Sequence, residues 1–198
     1  MPNWMRTYVR VVTAVNYRVG RIAMYLIFVM MAILLWSSIS KTFFQPSLVT
    51  LELAQFTMVA YYLLGGPYSM QLDGHVRMDL VYGGWSHKTK AWVDAFTIFA
   101  LMFYLGVLFY GAVSSSAYSM GYFGDTPFVF FKDLIVAFLT GGPAGVGEIT
   151  GFLERNPSAW RPVMWPIKII AATGIFLMLL QAIAVFFTDI AKIRGEEI

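Results

Sequence analysis

Four stretches of this chain, 22–40, 51–70, 92–118 and 166–187, are long and apolar, and none holds more than one charged residue. Where a charge occurs, as at Glu52, Asp94 and Lys168, it stands close to the start of its stretch. At about 1.5 Å of rise per residue, each stretch suffices to cross about 30 Å of hydrocarbon as a helix. The whole chain agrees. Its 198 residues are 59% hydrophobic and 13% charged, against about a quarter charged in a soluble domain. The expected fold is an all-α membrane protein with four transmembrane helices.

Residues 1–21 have a different pattern. Trp4, Tyr8, Val11, Val12, Val15 and Val19 recur at helical spacing, and Arg6, Arg10, Thr13, Tyr17 and Arg21 recur on the opposite side. This predicts an amphipathic interfacial helix on an anionic membrane face, which makes membrane lipids an expected partner. The apolar run that follows is too long for a signal-peptide core, and "WSSISKTFF" offers no small-x-small cleavage site. In the second stretch Thr50 is the expected N-cap, and Gly65-Gly66-Pro67 is expected to kink or fray the far end. Pro166 suits the first turn of the last helix.

Between the third and fourth stretches lies a long connection, 119–165. "FVFFKDLIVAFL" is apolar but is interrupted by Lys132 and Asp133, so it fits an interfacial or re-entrant helix better than a fifth span. "TGGPAGVGEITG" reads as loop, and "NPSAWRPVMWP" as an extended approach to the last helix. Basic residues cluster before the first span, between the second and third, and after the fourth. The positive-inside rule then puts both termini in the cytoplasm and 119–165 on the periplasmic side.

The content of reactive groups is small. The formal charge of +3 is spread over separate clusters, which excludes a nucleic-acid partner. Cysteine is absent, and the two histidines, His75 and His87, both precede the third span. No metal site, haem or other cofactor is expected from that set, and no phosphate loop or catalytic triad is present, so the chain reads as no enzyme. At depth, Gln181 is expected to hydrogen-bond between helices beside the small residues Gly174 and Ala182, and Gly106, Gly111 and the 114–117 run are expected to make further close contacts. Glu52 suits a helix start or a partner contact. The spans show no internal repeat and little polar material, which argues against a self-sufficient transporter. The most charged stretch is "LDGHVRMDLVYGGWSHKTKAWVD", 72–94, with Asp73, His75, Arg77 and Asp79 at alternate positions. It reads as a cytoplasmic loop that fixes topology and ties two helices together.

That stretch also carries a resemblance. "LELAQF…YYLLGGPYSMQLDGHVRMDLVY" followed by "SHKTKAWVD" is similar to the small membrane subunit of tripartite ATP-independent periplasmic (TRAP) transporters, as is the terminal "NPSAWRPVMWPIKIIAATGIFLMLLQAIA". The resemblance implies a bacterial inner-membrane subunit that braces a large membrane transport subunit and helps dock a periplasmic solute-binding protein, in sodium-coupled import of an organic acid. Glu52, His75, Arg77, Asp79, Trp165, Lys168 and Gln181 match its motif positions as structural or partner-contact residues, none as a substrate ligand. The 119–165 insertion is longer than the outer connection usual in the family and is expected to meet the binding protein. The competing reading is a free-standing membrane scaffold or sensor. Arg77→Ala is expected to lower assembly with a large subunit, measured by co-purification; wild-type assembly and uptake would refute the assignment.

Overall fold

The structure, a computed structural model, describes residues 2–72 and 84–194. The described residues form six helices: α1 (Asn3–Ala23), α2 (Leu26–Phe43), α3 (Thr50–Gln71), α4 (His87–Ser119), α5 (Pro127–Ile149) and α6 (Trp165–Arg194). By length and hydropathy, four segments are able to cross a membrane: Asn3–Phe43, Trp92–Ser119, Pro127–Ile149 and Trp165–Ala191. α3 is not among them, because Glu52, Gln55 and the Gly65-Gly66-Pro67 step dilute its apolar run.

α1 and α2 form an almost continuous run. At the junction Met24 and Tyr25 keep right-handed helical dihedrals, and the turn tightens through Tyr25 N–H to Ile22 O at 3.1 Å and Phe28 N–H to Tyr25 O at 3.1 Å. The 41 residues from Asn3 to Phe43 reach about 60 Å, twice the hydrocarbon thickness, so only part of the run lies in a bilayer. The uncharged part is 22–40, which includes most of α2. α1 is docked along the second half of α6 and does not stand apart: Trp4 and Tyr8 each meet Phe187 edge-on at 5.7 Å, and Asn16 reaches Gln181.

α6 is the centre of the bundle, in contact with α4, α3 and α1, while α2 leans on α3. Phe109 faces Phe176 (ring centroids 5.3 Å apart) and the Ser115 carbonyl faces Lys168, so α4 and α6 are antiparallel. Leu63 faces Gly174 and Gly66 faces Met178, so α3 and α6 are parallel. Chain direction therefore alternates through α2, α3, α4 and α6, and α5 is left without a traverse of its own.

The reason is Gly142. Its dihedrals, φ 59° and ψ −149°, break α5 into two arms; glycine alone occupies that region without cost. The arms fold back on each other. A Cβ on Gly145 would lie 2.7 Å from the Ala137 carbonyl oxygen. Past the second arm, Gly151 N–H bonds to Met120 O at 2.9 Å and Glu154 N–H to Ser119 O at 3.0 Å, so the chain is returned to the end of α4 it left. The insertion is thus a helical hairpin. It corrects the reading of "TGGPAGVGEITG" as loop: 143–149 is helical, because a break at one glycine lets Pro143 open the second arm, where a missing N–H costs nothing.

Three further expectations fail locally. Thr50 does not cap α3; Val49 holds that position without a side-chain bond, and the Thr50 hydroxyl lies 3.1 Å from Ser37 Oγ, tying α3 to α2. Of the kink or fraying expected at Pro67, the fraying does not occur, since the helix continues to Gln71. A proline removes the donor for the carbonyl four residues earlier, here Leu63. That carbonyl is covered by α6: a Cβ on Gly174 would stand 2.6 Å from it, so the Gly174 Cα–H packs directly on the group Pro67 orphans. Gly106 and Gly111 make no close approach, since a Cβ on either meets nothing within 4 Å. Small residues two turns later, Ser116, Ala117 and Ser119, are the buried ones.

Gly174→Ala is expected to destabilise the bundle by roughly 1–3 kcal/mol through backbone overlap, whereas Gly106→Ala is expected to be neutral or to stabilise by up to about 1 kcal/mol. Denaturant titration of the two variants in detergent micelles checks both; equal effects would show that the Leu63–Gly174 contact does not set the approach of α3 to α6.

Candidate functional site

Polar groups inside the described bundle form separate clusters, the first where α1, α3 and α6 meet. Asn16, on α1, falls on the buried stripe Val12, Asn16, Gly20 and Ala23. Its Nδ2 donates to Gln181 Oε1 at 2.7 Å and lies 3.5 Å from the Leu177 carbonyl. One turn toward the end of α6, the Tyr8 hydroxyl donates to the Leu180 carbonyl at 3.2 Å. Gln181, expected from sequence to bond between helices, does so, and its partner Asn16 is the residue that sequence reasoning missed. It stands four residues after Val12 and four before Gly20, on a side of the helix that the amphipathic reading did not single out. Close approach is again set by glycine, since a Cβ on Gly20 would overlap Tyr68 Cβ at 2.3 Å.

Glu52 lies in the first turn of α3 with 5% exposure, and no hydrogen bond reaches its Oε2 among the described residues. Ser40 and Thr50, also buried, make the α2–α3 turn the second polar cluster. The third lies at the other motif, at the start of α6. Lys168 is ion-paired with Glu154, donates toward the Ser115 carbonyl at 3.4 Å and stands 5.8 Å from the Tyr118 ring centre. Through these contacts one lysine joins the segment after the hairpin to both α4 and α6. Glu154 was not singled out from sequence, because it lies 14 residues from its partner in a segment without periodicity. Trp165 opens α6 and remains exposed. His75, Arg77 and Asp79 lie outside the described residues.

The motif residues are thus not one site. Gln181 and Lys168 are far apart along α6, and each is occupied by a partner from another helix or segment. Asp189 is also buried in α6. Among the described residues no group of three or more His, Asp or Glu side chains is placed to hold a metal ion. The arrangement joins helices; it does not surround a ligand.

A double-mutant cycle tests the central junction. Asn16→Leu and Gln181→Leu are each expected to destabilise the bundle by stranding the other amide, and the pair to show a coupling of about 0.6–1.7 kcal/mol. Additive losses in denaturant titrations would mean that the 2.7 Å contact carries no interaction energy.

Comparison with known proteins bears on the same helices. Neither the search of curated proteins nor that of solved structures returned a match. A family model does match, over residues 30–142, described as tripartite ATP-independent periplasmic transporters, DctQ component. The matched span runs from α2 to the tip of the hairpin and leaves α6 outside it. It covers more than half of the chain, and together with the apolar helices it establishes that this multi-pass membrane chain belongs to the DctQ family, the small component of TRAP transporters.

Proposed function

We propose that this chain braces the large membrane transport subunit of a TRAP system and helps dock its periplasmic solute-binding protein, in sodium-coupled import of an organic acid of the carboxylate class. α2, α3, α4 and α6 are the four crossings of a bacterial inner membrane, both termini are cytoplasmic, and the α5 hairpin lies on the periplasmic side. The first half of α1 is interfacial. The hairpin and the segment 150–164 are the surface offered to the binding protein. Glu52, Trp165, Lys168 and Gln181, with His75, Arg77 and Asp79, serve as structural or partner-contact residues.

What supports a bracing role is that the buried amides meet each other and Lys168 meets Glu154, so transport chemistry belongs to another chain. The observation that carries the partner is on α4. Trp92, Phe96, Phe99, Phe103, Val107 and Tyr110 are all exposed, from 51% at Tyr110 to 76% at Phe96. They are spaced four, three, four, four and three residues apart, so they form one continuous aromatic-rich stripe along a single face of α4. A large polytopic subunit supplies the opposing helix.

Purification of the tagged chain from its native membranes in mild detergent is expected to recover one large polytopic protein in fixed ratio. The joint variant Phe96→Ala, Phe99→Ala, Phe103→Ala is expected to lower that recovery about tenfold or more while the lone subunit keeps its helix content, as loss of central aromatic anchors does at other interfaces. Recovery of the chain alone would overturn the transporter role, and full recovery with the triple variant would move the interface off this stripe.

A further inference from the structure

α1 has three faces. Val12, Asn16, Gly20 and Ala23 are buried in the bundle; Trp4, Val11, Val15 and Ile22 are exposed and apolar; the remainder is cationic. Beside the cationic face lies a cavity of about 770 Å³ between α1 and the end of α3, lined among others by Arg6, Arg10, Thr13, Tyr17, Arg18 and Gln71. Three arginines therefore line one hollow, and no carboxylate among the described residues pairs with any of them. Arg21, on the same helix, is different: its guanidinium donates to the Tyr17 hydroxyl at 2.8 Å and lies over that ring.

We propose that this cavity is a binding site for the head group of an anionic phosphoglyceride, its charge met by the arginines that line the cavity, Arg6, Arg10 and Arg18. Cations of this number in one hollow call for an anion, and guanidinium forks match phosphate oxygens in pairs. Two observations make that anion part of a lipid and not a free phosphate. The walls are largely carbon, from Val9, Ala14, the Tyr17 ring and the arginine stems, so the cavity also accepts an apolar portion. Its level also fits: α3 ends at Gln71, and α1 runs on past that end with its charges, which puts the arginines where the hydrocarbon gives way to head groups. The exposed strip Trp4, Val11 and Val15 then meets acyl chain.

The site is on a different surface from the α4 stripe, and the proposal stands whether or not the chain braces a transporter.

The test uses the full-length chain in nanodiscs of phosphatidylglycerol and phosphatidylcholine with matched acyl chains, and reads the lipid retained by native mass spectrometry. At roughly fivefold for each cation, three arginines are expected to favour phosphatidylglycerol by about a hundredfold. Arg6→Gln, Arg10→Gln and Arg18→Gln together are expected to abolish the preference, while Arg21→Gln, whose partner is Tyr17, leaves it in place and controls for folding. Equal retention of both lipids by the wild type, or an unchanged preference in the triple variant, overturns the site. Displacement of bound lipid by millimolar inorganic phosphate or glycerol phosphate would assign the cavity to a soluble anion, and photo-crosslinking from position 10 to an acidic protein segment in native membranes would assign it to protein; either result refutes the lipid.

Discussion

The contact of Gly174 with the carbonyl of Leu63 governs how the rest of the bundle is assembled. Pro67 deprives that carbonyl of its helical donor, and in hydrocarbon an exposed carbonyl costs several kcal/mol. A side chain on α6 would hold the helices apart; glycine lets α6 cover the group with its own backbone. Once α3 and α6 are that close, Gly66 must accept Met178, and α1 must enter through Gly20 against Tyr68. The Asn16–Gln181 bond closes the same junction three turns from one end of α6. Small residues and one proline thus set the geometry, and the large apolar residues are left facing outward.

That inversion follows from the solvent. In water the apolar side chains would be collected inside; in a bilayer they gain nothing by leaving lipid, so helices associate by close packing and polar bonds. Seventeen of the eighteen residues of α2 are outside the buried class, and Ser40 is the exception. An exposed Phe28, Leu35 or Trp36 therefore marks contact with hydrocarbon or another subunit, not a defect of folding.

Much of this was legible in the residues, and the limits have physical causes. Length and hydropathy mark α2, α4 and α6 as apolar enough to cross, though they also qualify α5 and not α3, and Gln181 announced itself as an amide in an apolar run. Asn16 did not, because α1 was read as a surface helix whose polar residues face water. Pro67 was read by its local penalty, which a neighbouring helix removes; a contact between residues 63 and 174 has no local signature. Glu154 is assigned its role by Lys168, through a fold-back that sequence spacing does not encode. Gly106 and Gly174 are the same residue in similar surroundings of sequence, yet only one touches a neighbour.

Gly142 shows how far one residue can decide topology. Length and hydropathy qualify Pro127–Ile149 as a membrane crossing. Were it one, α6 would begin on the opposite side from the end of α4 and run parallel to it. The ring contact of Phe109 with Phe176 and the reach of Lys168 to Ser115 require the opposite. The left-handed dihedral at Gly142 supplies the turn, Ala137 against Gly145 closes it, and the Gly151–Met120 bond fixes the return. The charges follow the same plan: Lys132, Asp133 and Glu148 stand on the arms, and the intervening 134–147 has none. An apolar hairpin tied at both ends to one end of α4 adds surface on that side of the bundle without changing the side on which the chain ends.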